Sequence, residues 1–327
     1  MRGVISGSTR SRPVLDSRAG MGSTTAYMKH AFAFILACGL LGLPLAGQQL
    51  RFEGTGLPLA TNLVVTLHAE LGRLVASHRA LFRRAPAADF KITYHLSRTE
   101  AEYAERVEGA GRSPRGMPGF TRTQQRWQLK PQRRLIAAES TIETWRGQRT
   151  NELMAVLLHE SAHAVTAGFL GATPLWFTEG SAELLGTPAA SRYKLRRQDE
   201  AERWRLLAEL LESGRMPPLR GFLEAGDYAA WDRLFEGRRA LAYTASYSLF
   251  FFFSAQPAVF AYLNGWLDTK ALEEGEDLNR AFADYLDGHW PGGLAAFERT
   301  WHGWIRAKAA ATAPAPGQAS RPGGRPR

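Results

Sequence analysis

The chain has 327 residues, of which 45% are hydrophobic, and carries a formal net charge of +10 at pH 7. That length holds one large domain or two small ones, and the apolar content suffices for a real core. We attribute the positive charge to arginine being the usual surface residue of this chain. A nucleic-acid interface would need a compact basic stripe with interleaved aromatic residues, and the sequence shows none. We therefore expect no nucleic-acid partner, and we find no internal repeat.

The first 47 residues are predicted to be an upstream extension followed by a signal peptide. Residues 28–47 combine a short basic start, an apolar stretch and a small-residue end, which is typical of secretion signals. The apolar stretch is too short, and too interrupted by Gly and Pro, for a transmembrane helix. Residues 1–27 are rich in Ser, Gly and Arg and are expected to precede the true start, Met21 or Met28. This pattern predicts an exported protein, either periplasmic or secreted.

Cys38 is the only cysteine, and it lies inside the apolar stretch. Its surroundings loosely resemble a lipoprotein signal, in which Cys38 would be acylated and would anchor the protein to a membrane. The alternative is ordinary cleavage near Gly47. We expect membrane contact only through the signal peptide or this lipid, and no disulfide in the folded part.

Residues 48–149 are predicted to form an α/β part. Hydrophobic spacing predicts a helix at 63–82, a strand at 90–96 and a short helix at 100–108. The segment 133–141 has strand character and is a candidate for an exposed sheet edge, to which a substrate peptide could add as a further strand.

The most informative motif of the chain is His159-Glu-Ser-Ala-His163. Apolar residues recur at helical spacing on both sides of it, which predicts a helix beginning near Thr150. Residues four apart lie on one helical face, so His159 and His163 can bind the same metal ion. Glu160 lies beside that ion, where it can accept a proton from a bound water molecule.

A second helical stretch begins near Thr178 and carries Glu179 and Glu183 four residues apart. A third ligand from this helix would complete a zinc site with three protein ligands and one open position, which is the catalytic type. The simpler interpretation is a buried helix with two incidental histidines. Two histidines at metal-binding spacing with a glutamate between them favour one zinc ion per chain instead.

The pattern His-Glu-x-x-His followed by Trp-Phe-Thr-Glu-Gly-Ser-Ala-Glu resembles the gluzincin metallopeptidases, and more narrowly the bacterial peptidase-MA-like domains. The resemblance covers roughly residues 150–304. It implies that Glu179 is the third zinc ligand and that Glu183 orients the first histidine. The segment around Tyr243 is similar to an Ala-Tyr-x-x-Ser segment of this family, so Tyr243 is our candidate for stabilising the oxyanion. Tyr247 is the alternative, and both are also compatible with core packing.

These features predict an α+β, zincin-like metallopeptidase in which a small mixed or antiparallel sheet with helices precedes a mainly helical half. The helical half is expected at 150–307, and residues 308–327 are expected to be disordered. The zinc site should lie in the cleft between the two parts, with a peptide or protein as substrate. Endopeptidase and exopeptidase action are both compatible with these residues. The rival hypotheses are a catalytically inactive zincin-fold protein that binds or scaffolds at the cell envelope, and a metal-free basic binding protein.

Overall fold

The computed structural model describes residues 48–111, 117–128, 134–189, 193–195, 199–269 and 277–313. The predicted signal peptide, the acylation of Cys38 and the tail from residue 314 lie outside these residues.

The described part of the chain contains four strands and eleven helices, which confirms the predicted α+β class. The strands are β1 (Gln48–Glu53), β2 (Asp89–Ser97), β3 (Gly119–Gln128) and β4 (Arg134–Trp145). The helices are α1 (Thr61–Phe82), α2 (Glu100–Gly109), α3 (Thr150–Leu170), α4 (Leu175–Leu185), α5 (Glu200–Glu212), α6 (Leu219–Glu224), α7 (Tyr228–Leu234), α8 (Arg239–Ala255), α9 (Pro257–Thr269), α10 (Leu278–His289) and α11 (Gly293–Thr312). The predicted helix, strand and helix at 63–82, 90–96 and 100–108 correspond to α1, β2 and α2.

The four strands form one mixed sheet in the order β1-β2-β4-β3. β1 pairs in parallel with β2, β2 pairs in parallel with β4, and β3 pairs antiparallel with β4. The prediction that residues 133–141 form an exposed sheet edge is wrong, because β4 is hydrogen-bonded to a neighbouring strand on each side. The edge next to β4 is instead β3, which pairs on only one side within this sheet.

One face of the sheet packs against α3, and α1 packs on α3 in turn. Every second residue of β2 points into this layer, and Phe90, Ile92, Tyr94 and Leu96 are all buried, as the two-residue period of a strand requires. By length and composition α3 is apolar enough to cross a membrane, but 83% of its most apolar stretch is buried inside the protein. It is therefore the central core helix, and it brings the histidine motif against the sheet.

The helical half packs on α3 through α4, which also lies against α8. Gly180 permits this approach, since a Cβ atom there would lie 2.4 Å from the carbonyl oxygen of Ser246 on α8. The aromatic run at 250–253 is buried and forms core rather than a binding surface. α4 therefore reaches the site with its backbone held directly against a second helix.

The C-terminal helix differs from the prediction. α11 continues to Thr312, so residues 308–312 are helical rather than disordered. Lys308 is only 7% exposed, and its ammonium nitrogen lies 4.6 Å from the ring centre of Phe251 and 5.2 Å from that of Trp304. Packing of the lysine stem and the attraction of its charge to the ring faces hold this last part of the helix in place.

Candidate metal centre

α3 and α4 bring three side chains with metal-binding atoms together. His159 and His163 are one turn apart on α3, and Glu179 comes from the first half of α4. Glu179 is only 2% exposed, and both histidines are partly buried. One ligand atom from each residue lies within 4.8 Å of the other two, so the group can hold a metal ion.

The spacing of these three atoms fits a small tetrahedral cation. The two Nε2 atoms of the histidines are 3.1 Å apart, and Glu179 Oε2 lies 3.3 Å from that of His159 and 3.5 Å from that of His163. Two ligand atoms at zinc-binding distance and at the tetrahedral angle would be roughly 3.4 Å apart. Oε2 is buried and has no hydrogen-bond partner among the described residues. A buried carboxylate oxygen needs a partner that donates or carries positive charge, and a cation bound between this oxygen and the two imidazoles would supply one.

The second nitrogen of His159 contacts Glu183, the residue that the resemblance assigns to this place. The distance from His159 Nδ1 to Glu183 Oε1 is 3.4 Å, which directs Nε2 of the ring towards the other ligands. Glu183 Oε2 accepts a hydrogen bond from Arg203, an α5 residue that is 3% exposed. The guanidinium carbon of Arg203 lies 4.1 Å from the centre of the Tyr247 ring. Sequence reasoning did not identify Arg203, because it is one of many charged residues on an amphipathic helix.

The electrostatics of the group favour positive charge. Burial alone would lower the pKa of His159, but the contact with Glu179 and the negative charge of Glu183 raise it to about 9. Burial alone would raise the pKa of Glu179, but the neighbouring His163 and His159 lower it to about 2. Without a metal the group therefore retains a proton, and a cation must displace that proton in order to bind.

Glu160, the predicted general base, lies in the same cleft as the three ligand residues. The Thr121 hydroxyl on β3 donates its hydrogen bond to Glu160 Oε2 at 2.6 Å, and the backbone carbonyl oxygen of Glu160 lies 3.1 Å from the same hydroxyl. Gly119 allows the strand to come this close, because a Cβ atom there would lie 2.9 Å from Glu160 Cγ. The edge strand therefore restrains the carboxylate, a contact that no local sequence pattern indicated.

The two candidate tyrosines occupy different environments. Tyr243 lines the cleft, and its ring centre is 6.4 Å from that of His159. Tyr247 is not among the described residues that line the cleft; its ring packs against Trp204 and lies beneath Arg203. Burial, and then the charge of Glu179, raise the pKa of Tyr243 above its ordinary value, so its hydroxyl stays protonated and able to donate.

A third tyrosine, Tyr228, was not singled out from the sequence. It is the first residue of α7, and its hydroxyl donates a hydrogen bond of 2.5 Å to Glu179 Oε1. Its ring stacks beside that of Tyr243 with centres 6.3 Å apart. Burial, and then the charge of Glu179, raise the pKa of Tyr228 as well.

One cleft of about 1050 Å³ is lined by the candidate metal ligands His159, His163 and Glu179, by Glu160, and by Tyr228 and Tyr243. The edge strand β3 forms one wall, α3 and α4 supply the metal-binding group, and α7 and α8 supply the tyrosines. The cleft lies between the sheet and the helical half, and its volume is at the upper end of the range for small-ligand pockets.

No protein-family model matches this chain, and no curated protein is significantly similar to it. The gluzincin resemblance therefore stays a prediction from the motif. What the fold shows is an α+β protein with a buried His159-His163-Glu179 group that can hold a metal ion.

Proposed function

We propose that this protein is an exported, zinc-dependent peptidase of gluzincin type that hydrolyses peptide bonds in peptides or proteins. The observation that carries the proposal is the triangle of two imidazole nitrogens and one carboxylate oxygen, with edges of 3.1 to 3.5 Å. Two histidines and one glutamate are a donor set of catalytic zinc sites, which keep one position open. The proposal of export rests on the apolar segment at 28–47, outside the described residues.

A zinc ion in this group would lower the pKa of a coordinated water molecule towards ~7 and polarise a substrate carbonyl. Glu160, which lines the same cleft, would accept the proton of the attacking water and pass it to the leaving amine. Its hydrogen bond from Thr121 limits the rotamers available to the carboxylate. The protonated hydroxyl of Tyr243 lines the same cleft, where it can donate to the oxyanion that develops on the carbonyl oxygen.

The edge of β3 supports a peptide rather than a small molecule as substrate. Thr121, Thr123 and Gln125 alternate along the strand and all line the cleft. An extended peptide can pair with this edge as an additional strand, and backbone hydrogen bonds then hold it with little dependence on its side chains. In that arrangement its backbone would run past the metal-binding group.

The test compares wild-type mature protein with Glu160→Gln. We expect about one zinc ion per chain in both proteins, and cleavage of a peptide library by the wild type only. Loss of a general base lowers turnover by about 10²- to 10⁴-fold. The matched control is Glu236→Gln, a side chain that is 67% exposed, which should keep both zinc and activity.

Each rival hypothesis has its own outcome in this experiment. A zinc stoichiometry near zero in the wild type would favour a metal-free binding protein. Bound zinc without cleavage of any peptide would favour the inactive zincin-fold binding or scaffold protein. Cleavage that persists unchanged in Glu160→Gln would contradict the assigned mechanism.

A further inference from the structure

The two carboxylate oxygens of Glu179 have different surroundings. Oε2 faces the Nε2 atoms of His159 and His163 at 3.3 and 3.5 Å. Oε1 accepts the 2.5 Å hydrogen bond from the Tyr228 hydroxyl. One oxygen is therefore directed at the place where a cation would lie, and the other is occupied by a phenol.

The ring of Tyr228 is fixed by neighbours on several sides. It meets Trp231 edge-on with ring centres 5.9 Å apart and stacks beside Tyr243. The guanidinium carbon of Arg239 lies 5.3 Å from its ring centre, and Arg239 is itself paired with Asp232. These contacts keep the hydroxyl at Glu179 and leave it little freedom to turn away.

We propose that Tyr228 is a positioning residue that holds Glu179 as a one-oxygen metal ligand. This inference rests on the proposed metal site. A carboxylate can bind a cation through one oxygen or through both, and an unoccupied Oε1 would be drawn towards the bound charge. By occupying Oε1, Tyr228 keeps open the coordination position that a catalytic site requires for solvent and substrate.

Tyr228→Phe tests the hydroxyl alone, because it removes the hydrogen bond to Glu179 and retains the ring that packs on Trp231 and Tyr243. The probe is Co²⁺ in place of the native metal, since the visible absorption of Co²⁺ depends on the number of its ligands. We expect the bands of the wild type to be intense, as for four ligands. In Tyr228→Phe they should weaken and shift, because Glu179 then binds through both oxygens. The matched control is Tyr262→Phe on α9, which packs against Trp290 and should keep the wild-type spectrum.

A second measurement uses the unmodified protein, so that the proposal remains testable should the variant fold poorly. X-ray absorption of the zinc-loaded wild type should give about four nitrogen and oxygen neighbours, with Glu179 contributing one. A two-oxygen Glu179 in the wild type would overturn the proposal, and so would identical cobalt spectra of wild type and Tyr228→Phe.

Failure of the proposed function is distinguishable from failure of this inference. If the wild type binds no Co²⁺ and no zinc, both the metal site and the role of Tyr228 are overturned. If Co²⁺ binds and the Tyr228→Phe spectrum changes while no peptide is cleaved, the role of Tyr228 is supported and only the peptidase assignment is lost.

Discussion

At the scale of single residues, the orientation of His159 depends on a chain of contacts that ends in a buried charge. Its Nδ1 contacts Glu183, and Glu183 accepts a hydrogen bond from Arg203. The side chains of Glu183 and Arg203 are only 8% and 4% exposed. Removing one partner of such a pair leaves the other charged and buried, which costs more than losing both.

This pairing predicts a difference between a single and a double variant. Glu183→Ala should lower the free energy of unfolding of the metal-free protein by about 3–5 kcal/mol, because Arg203 stays charged and buried after losing its contact with Glu183. The double variant Glu183→Ala with Arg203→Met should regain much of that loss. Both should bind zinc about 10- to 100-fold more weakly than the wild type, because His159 loses its orienting partner.

Urea denaturation measures the first effect, and competition with a chelator measures the second. Should the double variant be no more stable than Glu183→Ala, the buried charge of Arg203 would not be the source of the loss. Should zinc affinity be unchanged in both, Glu183 would not orient His159.

At the scale of elements, the placement of Glu179 depends on how closely α4 approaches α8. Gly180→Ala would bring a methyl group 2.4 Å from the carbonyl oxygen of Ser246 and 2.9 Å from Phe250 Cβ. Backbone cannot yield as a flexible side chain does, so the two helices must separate. We expect a loss of about 1–3 kcal/mol in the free energy of unfolding and weaker zinc binding, because Glu179 is the adjacent residue.

Gly303→Ala on α11 is the matched control, because a Cβ atom there meets nothing within 4 Å. Because Gly303 is an exposed helical position, this change should raise the free energy of unfolding by about 0.5–1 kcal/mol, whereas Gly180→Ala should lower it. Urea denaturation of both variants tests the pair. Equal effects of the two substitutions would mean that the close approach of α4 and α8 does not govern stability.

The elements that sequence reasoning predicted well are those whose pattern is local. The four-residue spacing of His159 and His163 fixes their common helical face, and the apolar period of α1, β2 and α2 is visible in short windows. The contacts that could not be predicted from the sequence join residues far apart in the chain. Tyr228 and Glu179 are 49 positions apart, and Thr121 and Glu160 are 39 apart. Nothing in either local pattern distinguishes these residues from ordinary ones.

The position of β4 in the sheet was predicted wrongly for a related reason. The burial pattern of β4 is irregular, with runs of consecutive buried residues, and the sequence of the strand does not show whether it pairs on one side or on both. Its interior place is decided by its pairing with β2 on one side and β3 on the other. The edge that faces the cleft therefore became known only from the tertiary structure.

At the scale of the whole molecule, a chain of buried polar side chains joins α1 to α3 and α4, the two helices that carry the candidate metal ligands. His78 on α1 donates from Nδ1 to the carbonyl oxygen of Leu74 at 2.8 Å. Its Nε2 then accepts from the Thr166 hydroxyl of α3 at 2.9 Å, and Thr166 Oγ1 lies 3.2 Å from Ser181 Oγ of α4. This arrangement requires a neutral imidazole, because only an uncharged Nε2 can accept.

Burial lowers the pKa of His78 from its ordinary 6.5 to about 4, with a smaller effect of the nearby Arg73 in the same direction. Between these two pH values the unfolded chain binds a proton that the folded protein does not. The contribution of His78 to stability is therefore fully present above pH ~6.5 and is lost as the pH falls towards ~4. The loss over that interval is about 3 kcal/mol.

The measurement is the free energy of unfolding of metal-free protein, taken from urea titrations between pH 7 and pH 4.5. The wild-type value should fall steeply over this range, whereas His78→Gln, which can still form hydrogen bonds but does not titrate, should show a flatter profile whatever its stability at pH 7. The matched control is His289→Gln, on the surface of α10, which should keep the wild-type slope. Parallel profiles for wild type and His78→Gln would show that acid destabilises this protein through other groups.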